Sequence, residues 1–458
     1  MIIGRILAVL CGLIFGLAAL LLSPAKVLVL IAGVVVLLII MRKPLYGLIL
    51  FAILATSIPY TTVEVGIRTT ISEAILAITW VGVFWHALIG QMRQRLSWQS
   101  AELSMLHLFM YSVVPLVFGI LMISAEGSSI ANWLRWILNL SVLFLVPLLL
   151  RTDADRDKVI VAFLSGSLLM LVVSIAYFLK DRNANTFIPL LETLRYSHPE
   201  AVTDIFSANY QRMASPWVHP NLTGGILALT IPLSLLYGWT RLGWRRFLGL
   251  TVAVLGCVGL LFSISRGAIL ALLLVLFWLS YQRLPYSARI IGLGAVFAVL
   301  LVMFYPPLQE RMMTVFSASN ASTEIRFDEY RMFPEAMVTY PVGIGFKVDP
   351  PVPGSGLLGI SNLWLNIIYK IGLPGLLLFS ILIWRWWREV KPINKMTKIT
   401  YDNAIWIGSI SGVVGALLTG LFDHYYSFTF VIIALFWLLV GISLQQARLF
   451  PSKTSHAK

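Results

Sequence analysis

Four clusters of polar residues, and one asparagine, combine residue types and spacing that could do chemistry. Arg212 stands seven residues before His219-Pro220-Asn221, Arg266 sits in Ser265-Arg266-Gly267, Arg326 belongs to the charged run from Glu324 to Glu335, and Asp423 adjoins His424. The asparagine, Asn362, precedes a glycine pair at 372 and 375. Arginine carries a permanent charge and a planar fork of donors suited to phosphate oxygens. A histidine held beside a carboxylate can take a proton from a hydroxyl. Pro220 is suited to the first position of a helix, whose N-terminus offers free N–H groups to an anion. Each cluster also has a plain structural reading. His219 and Asn221 could only cap a helix, Arg266 could anchor a span at the membrane surface, the charges around Arg326 could form a solvated face, and His424 could be structural. No group of His, Cys or carboxylates has metal-ligand spacing. We therefore expect no metal and no other cofactor, so arginines would have to stabilise the negative charge that a metal stabilises in other phosphate chemistry.

The elements that must position these residues are membrane helices. The chain is 59% hydrophobic and 12% charged, against about 45 to 50% and about 25% in soluble domains, and its mean hydropathy is +0.88. An ordinary soluble protein is excluded. The apolar runs are continuous and helix-length rather than short and alternating, which excludes a transmembrane β-barrel. The expected fold is all-α and polytopic, with about 14 transmembrane helices (12 to 14) of roughly 20 residues each. The expected spans are 2–22, 26–41, 45–59, 71–90, 103–123, 130–150, 157–179, 218–239, 245–264, 266–283, 287–305, 371–388, 403–421 and 427–447. The first is read as a retained span rather than a cleaved signal, because no small-residue cleavage pattern precedes Ser23-Pro24.

The net charge of +14 has a topological explanation rather than a nucleic-acid one. With both termini cytoplasmic, the inner segments hold an excess of about +15 and the remainder about −1, the bias that cytoplasmic loops show. Cys11 and Cys257 lie far apart in apolar runs and read as packing residues. The chain divides into a seven-span bundle (1–179), an outer loop (180–217), core spans bearing motifs (218–305), a large outer loop (306–370), C-terminal spans (371–447) and a cytoplasmic tail (448–458). Within the large loop, residues 321–339 read as a polar helix, and 361–371 as an apolar piece too short to span, hence interfacial or re-entrant. Ionisable residues are nearly absent from mid-span, which counts against a proton-coupled transporter. The polar clusters gather instead at the outer ends.

Taken in order, Arg212 with His219-Pro220-Asn221, then Ser-Arg-Gly-Ala at 265–268, then Arg326 ahead of Pro341, Gly343 and Gly345, resemble the O-antigen ligase and O-antigen polymerase superfamily over roughly residues 205–445. That resemblance implies glycosyl transfer at the outer, periplasmic face of a bacterial cytoplasmic (inner) membrane, from a polyprenyl-pyrophosphate-linked oligosaccharide to an acceptor hydroxyl. It implies membrane lipid and chain-length-regulator or flippase proteins as partners, and no nucleic acid. It assigns Arg212 and Arg266 to the pyrophosphate, with Arg326 contributing from the loop and with Asn221 and Asn362 in the donor site.

One departure bears on the acceptor. Ligases of the superfamily carry a His before the Asn that Asn362 matches, and here that position is Ser361. A serine cannot replace a histidine base at neutral pH, which shifts the expectation toward a polymerase of lipid-linked repeat units. His424 paired to Asp423, or His219, becomes the candidate base. A ligase passing glycan to a terminal lipid or protein hydroxyl is the nearest alternative, and a transporter or flippase of lipid-linked oligosaccharide is a second, from a different class.

Overall fold

The computed structural model describes residues 23–65, 67–91, 98–122, 128–181, 184–197, 199–200, 212–281, 321–347, 357, 359–392 and 399–455, with isolated positions 12, 16, 20, 292, 296 and 303. Apart from those isolated positions, the expected spans 2–22 and 287–305 lie outside the described residues, as do the start of the large loop at 306–320 including Arg311, its proline-rich part at 350–354 and the last three residues of the tail.

The described elements run α1 (Pro24–Arg42), α2 (Leu45–Ser57), the hairpin β1 (Thr62–Val65) and β2 (Ile67–Thr70), α3 (Ile71–Leu88), α4 (Ser100–Met122), α5 (Ser128–Leu140), α6 (Val142–Leu149), α7 (Asp153–Asp181), α8 (Ile188–Thr193), α9 (Pro220–Thr240), α10 (Gly243–Ser263), α11 (Arg266–Tyr281), α12 (Ala321–Thr339), α13 (Leu363–Val390), α14 (Ala404–Thr419), α15 (Tyr425–Phe428) and α16 (Ile432–Ser455). Among the described residues eight helices are long and apolar enough to cross a membrane, and α2, α11 and α14 are shorter apolar helices. The protein is an all-α, multi-pass membrane protein. The single hairpin pairs Thr62 with Thr70 in antiparallel register. It is too short to break the hydropathy pattern, and it ends in a capping box in which the Thr70 hydroxyl accepts from Glu73 N and Glu73 accepts from Thr70 N.

Apolar side chains on α1, α4, α10 and α13, such as Leu28, Leu121, Val254 and Leu377, point outward, as lipid-facing residues do. The inner helix is α9, buried along almost its whole length. Glycines let its neighbours approach to backbone contact: a Cβ on Gly249 of α10 would lie 2.6 Å from Gly238 of α9, and one on Gly412 of α14 would lie 2.3 Å from the Leu229 carbonyl oxygen. Small residues at such seams are how helices pack where lipid removes the hydrophobic drive.

Two groups of ion pairs lie among residues that the charge bias places together. Asp157 of α7 meets Arg245 at 3.0 Å and accepts from the Tyr237 hydroxyl at 2.8 Å, and Arg448 of α16 joins Glu102 of α4 and Glu389 of α13. Charge bias assigns all of these residues to the inner side. The helices therefore bring together groups that the sequence reading places on one face, while Asn221, Arg326, Ser361 and Asp423 meet at the other.

The piece read as interfacial, 361–371, is a short helical segment that breaks from the span behind it. Helix α13 is interrupted at Ile371 and at Gly372, whose φ is +72°. A Cβ there would fall within 2.9 Å of the Val342 backbone, so glycine is required both for the left-handed conformation and for the approach of the loop. Pro374 has no N–H to offer Lys370, four residues earlier. The carbonyls freed by the break find other donors: Ile344 N bonds Tyr369 O, Gly345 N bonds Lys370 O (both 2.9 Å), and the Tyr111 hydroxyl bonds Ile371 O at 3.0 Å. Pro341 to Gly345 thus closes the break, and the first segment of α13 is held at the end of the bundle where Asn221, Arg326 and Asp423 meet.

Candidate active site

The site begins at the start of α9. Pro220 occupies the first helical position and His219 is the N-cap, its Nδ1 accepting from Asn221 N at 3.1 Å. A ring nitrogen that accepts carries no proton, so the neutral His219 ring holds its hydrogen on Nε2. Burial pushes the His219 pKa down to about 4; Asp423 opposes this, while Arg212, His424 and Arg326 reinforce it. At neutral pH His219 is a neutral donor, which fits a cap and an electrophilic contact better than a base.

Arg212 is buried. Its Nε donates to Ser263 O at 2.8 Å and its Nη2 to Asn221 Oδ1 at 2.6 Å. It ties the α9 terminus to the turn between α10 and α11. In that turn Ile264 has a left-handed φ of 51°, and Ser265 packs where a Cβ on Gly224 would clash. Arg266 opens α11 and is half-buried. Arg326, on α12, lies within electrostatic range of both His219 and Arg266.

Helix α12 forms over the stretch read as a polar helix and docks through specific bonds. Ser361 N donates to Glu329 Oε2 at 2.7 Å, and the Tyr330 hydroxyl donates to Ser361 O at 3.2 Å. Asn362 caps α13: its Oδ1 accepts from Trp364 N and Leu365 N, and its Nδ2 donates to Leu421 O. Beside it, Nδ1 of His424 stands 3.4 Å from Oδ1 of Asp423, too poorly aligned for a hydrogen bond. The same Asp423 oxygen accepts from His424 N at 2.9 Å.

These pieces converge. His219, Asn221, Arg326, Ser361, Asp423 and His424 line one cavity of about 320 Å³, with Leu222, Ile325, Tyr425 and Thr429. Four segments distant in sequence supply it, and they bring an arginine, two imidazoles and a carboxylate to its wall. Such a chamber can hold a phosphorylated ligand and move a proton. Among the described residues no three His, Cys, Asp or Glu side chains converge as a metal-binding group.

Residues 251–380 match the family model described as O-antigen ligase. This stretch carries the O-antigen ligase family signature. The match supports the superfamily resemblance drawn from the motifs, and with it a ligase- or polymerase-type function on glycans. Comparison with curated proteins gives no match. The matched segment contains Arg266, Arg326 and Asn362, whereas Arg212, His219, Asn221, Asp423 and His424 fall outside it, and the cavity joins Arg326 from the first set to His219, Asn221, Asp423 and His424 from the second.

The sequence reading passed over Glu73, Arg135 and Asn139, which brace the Phe430–Val431 segment just after Thr429. Arg135 bonds Glu73 at 2.7 Å and lies 4.0 Å from the centre of the Phe430 ring. Asn139 donates to Glu73 and accepts from Val431 N. The signal was available: a carboxylate and an arginine inside apolar runs require partners. The sequence alone gives Tyr425 no role; its ring packs on Gly225, and burial and the neighbouring Asp423 hold its pKa well above the usual phenol range.

Proposed function

We propose that this protein polymerises polyprenyl-pyrophosphate-linked oligosaccharide repeat units at the outer face of the bacterial cytoplasmic membrane. In this reading a hydroxyl oxygen of the acceptor unit attacks the anomeric carbon of the donor glycan. The bond from that carbon to the pyrophosphate oxygen breaks, the electron pair leaves with the pyrophosphate, and the hydroxyl proton passes to His424. Arg326 and Arg266 face the developing charge, where preorganised donors act most strongly, and Arg212 and Asn221 hold the α9 terminus in place. Asp423 holds the His424 backbone through its N–H, and Asn362 fixes the start of α13.

The observation that supports this most is the common cavity of Arg326, Ser361 and His424. His424 reaches the place where the ligases' histidine is replaced by Ser361, so the chain keeps an imidazole at the chamber from a different segment. The ligase alternative draws support from the name of the matched family. Purified protein given a lipid-pyrophosphate oligosaccharide alone separates the two. Products laddered by whole repeat units support the polymerase; no product until a separate acceptor is added supports the ligase; movement of intact lipid-linked glycan without bond exchange would overturn both.

A further inference from the structure

His424 and Thr429 line a second cavity as well, of about 270 Å³, whose other walls include Asn132, Asn366, Lys370, Phe346 and Phe428. The imidazole therefore stands in the wall between two chambers of different chemistry. The first holds Arg326 and the α9 terminus. The second is aromatic and amide-lined: Phe346 and Phe428 pack edge to face at 5.8 Å, Phe428 stacks on Trp136, Asn132 Nδ2 donates to Phe346 O, and Asn366 Nδ2 donates to Ser427 Oγ. Aromatic faces with amide edges suit the apolar faces and hydroxyls of a sugar ring.

Lys370 makes this chamber selective. It is buried, and its ammonium donates to Lys347 O at 2.8 Å, which uses one of three N–H donors. Among the described residues no carboxylate lies within ion-pair distance of it, and no acidic residue is among those lining the cavity. A buried cation without a counter-charge is costly, and a ligand that brings the anion removes the cost. In the proposed reading the pyrophosphate lies with Arg326 on the other side of His424.

We propose that the second cavity receives the acceptor saccharide, and that Lys370 makes a carboxylate-bearing sugar the preferred acceptor. This rests on the glycosyl-transfer reading and adds to it the class of the acceptor and the side from which its hydroxyl meets His424.

The test uses the purified full chain in detergent with three probes: a disaccharide ending in glucuronic acid, its neutral glucose counterpart, and farnesyl pyrophosphate. The acidic disaccharide should bind about tenfold more tightly than the neutral one, the scale of one charge-assisted contact. Lys370→Gln should abolish that difference, Lys370→Arg should keep it, and neither should alter binding of farnesyl pyrophosphate. Equal affinity for both disaccharides in the unaltered protein, or a preference that survives Lys370→Gln, overturns the proposal. So does loss of farnesyl pyrophosphate binding in Lys370→Gln, which would assign the ammonium to the donor. In those three cases the glycosyl-transfer reading stands if farnesyl pyrophosphate binds the unaltered protein. If it does not bind there, that reading falls, and the proposal with it.

Discussion

Nδ1 of His424 lies 3.4 Å from Oδ1 of Asp423, and the pair shares its cavity with Ser361, 63 positions earlier in the chain. A base supplied from this pair should be replaceable from the other side of the chamber. His424→Ala should lower turnover by about 10² to 10⁴, the usual contribution of a positioned base. Adding Ser361→His to that variant should recover part of the loss. Polymer yield per unit time from a lipid-linked oligosaccharide measures both; full activity in His424→Ala would remove the residue from the reaction.

Arg266 opens α11 with little loop in which to reach water. If it only anchors the helix, Arg266→Lys should work as well, since lysine also places a cation at the interface. If it grips phosphate through its planar fork, lysine is a poor substitute. We expect Arg266→Lys and Arg266→Ala each to lose about 10² to 10³ in turnover at normal expression, and Arg311, outside any matched motif, to tolerate both changes. Near-normal turnover of Arg266→Lys would return Arg266 to an anchor.

His219 links stability to pH. Its folded pKa of about 4 lies below the ordinary value of about 6.5, so the unfolded chain binds the proton first. The contribution of this residue to stability is complete above about pH 6.5 and is lost as the pH falls toward about 4. His219→Asn keeps a capping side chain without the titration. The drop in melting temperature between pH 7 and pH 4.5, measured in detergent, should be smaller in this variant; an unchanged drop would mean that His219 does not titrate in this range.

Single cysteines at Arg95, Arg245 and Arg388 should be shielded from an impermeant reagent added outside whole cells. Cysteines at Asn185, Arg326 and Asp423 should react. The background needs both Cys11 and Cys257 replaced, so that each introduced cysteine is the single thiol. External labelling at position 245 would invert the topology and move the chamber to the cytoplasm.

Activity should persist in excess chelator, since arginines, not a carboxylate cluster, face the expected pyrophosphate. Loss of activity restored by magnesium or manganese would bring Asp328, Glu329 or Asp423 into play as metal ligands.

Much of the fold was legible because lipid imposes a simple rule: apolar runs of helical length must span, and charged loops must sort. Helix α12 was legible for the opposite reason, as its charges repeat at helical spacing in a stretch too polar to insert. The hairpin at 62–70 was not, because four-residue strands leave no periodicity to read. The convergence of Arg326 with His219 and His424 was legible only as a shared side of the membrane, since which loops touch is decided by packing between helices far apart in sequence. Lys370 was the one cation in an otherwise apolar stretch, and it was passed over as the edge of a loop. Its burial depends on the break at Gly372, which hydropathy does not register.

That break also bears on how the protein is made. Until Pro341 to Gly345 arrives, the carbonyl of Lys370, which Pro374 cannot serve, lacks the donor it finds in Gly345 N, and an unpaired carbonyl away from water costs several kcal/mol. Insertion of α13 and docking of the loop are therefore coupled steps of biogenesis. Damage to Gly343 or Gly372 should appear as protein that fails to accumulate in the membrane, before any change in the rate at which surviving molecules work.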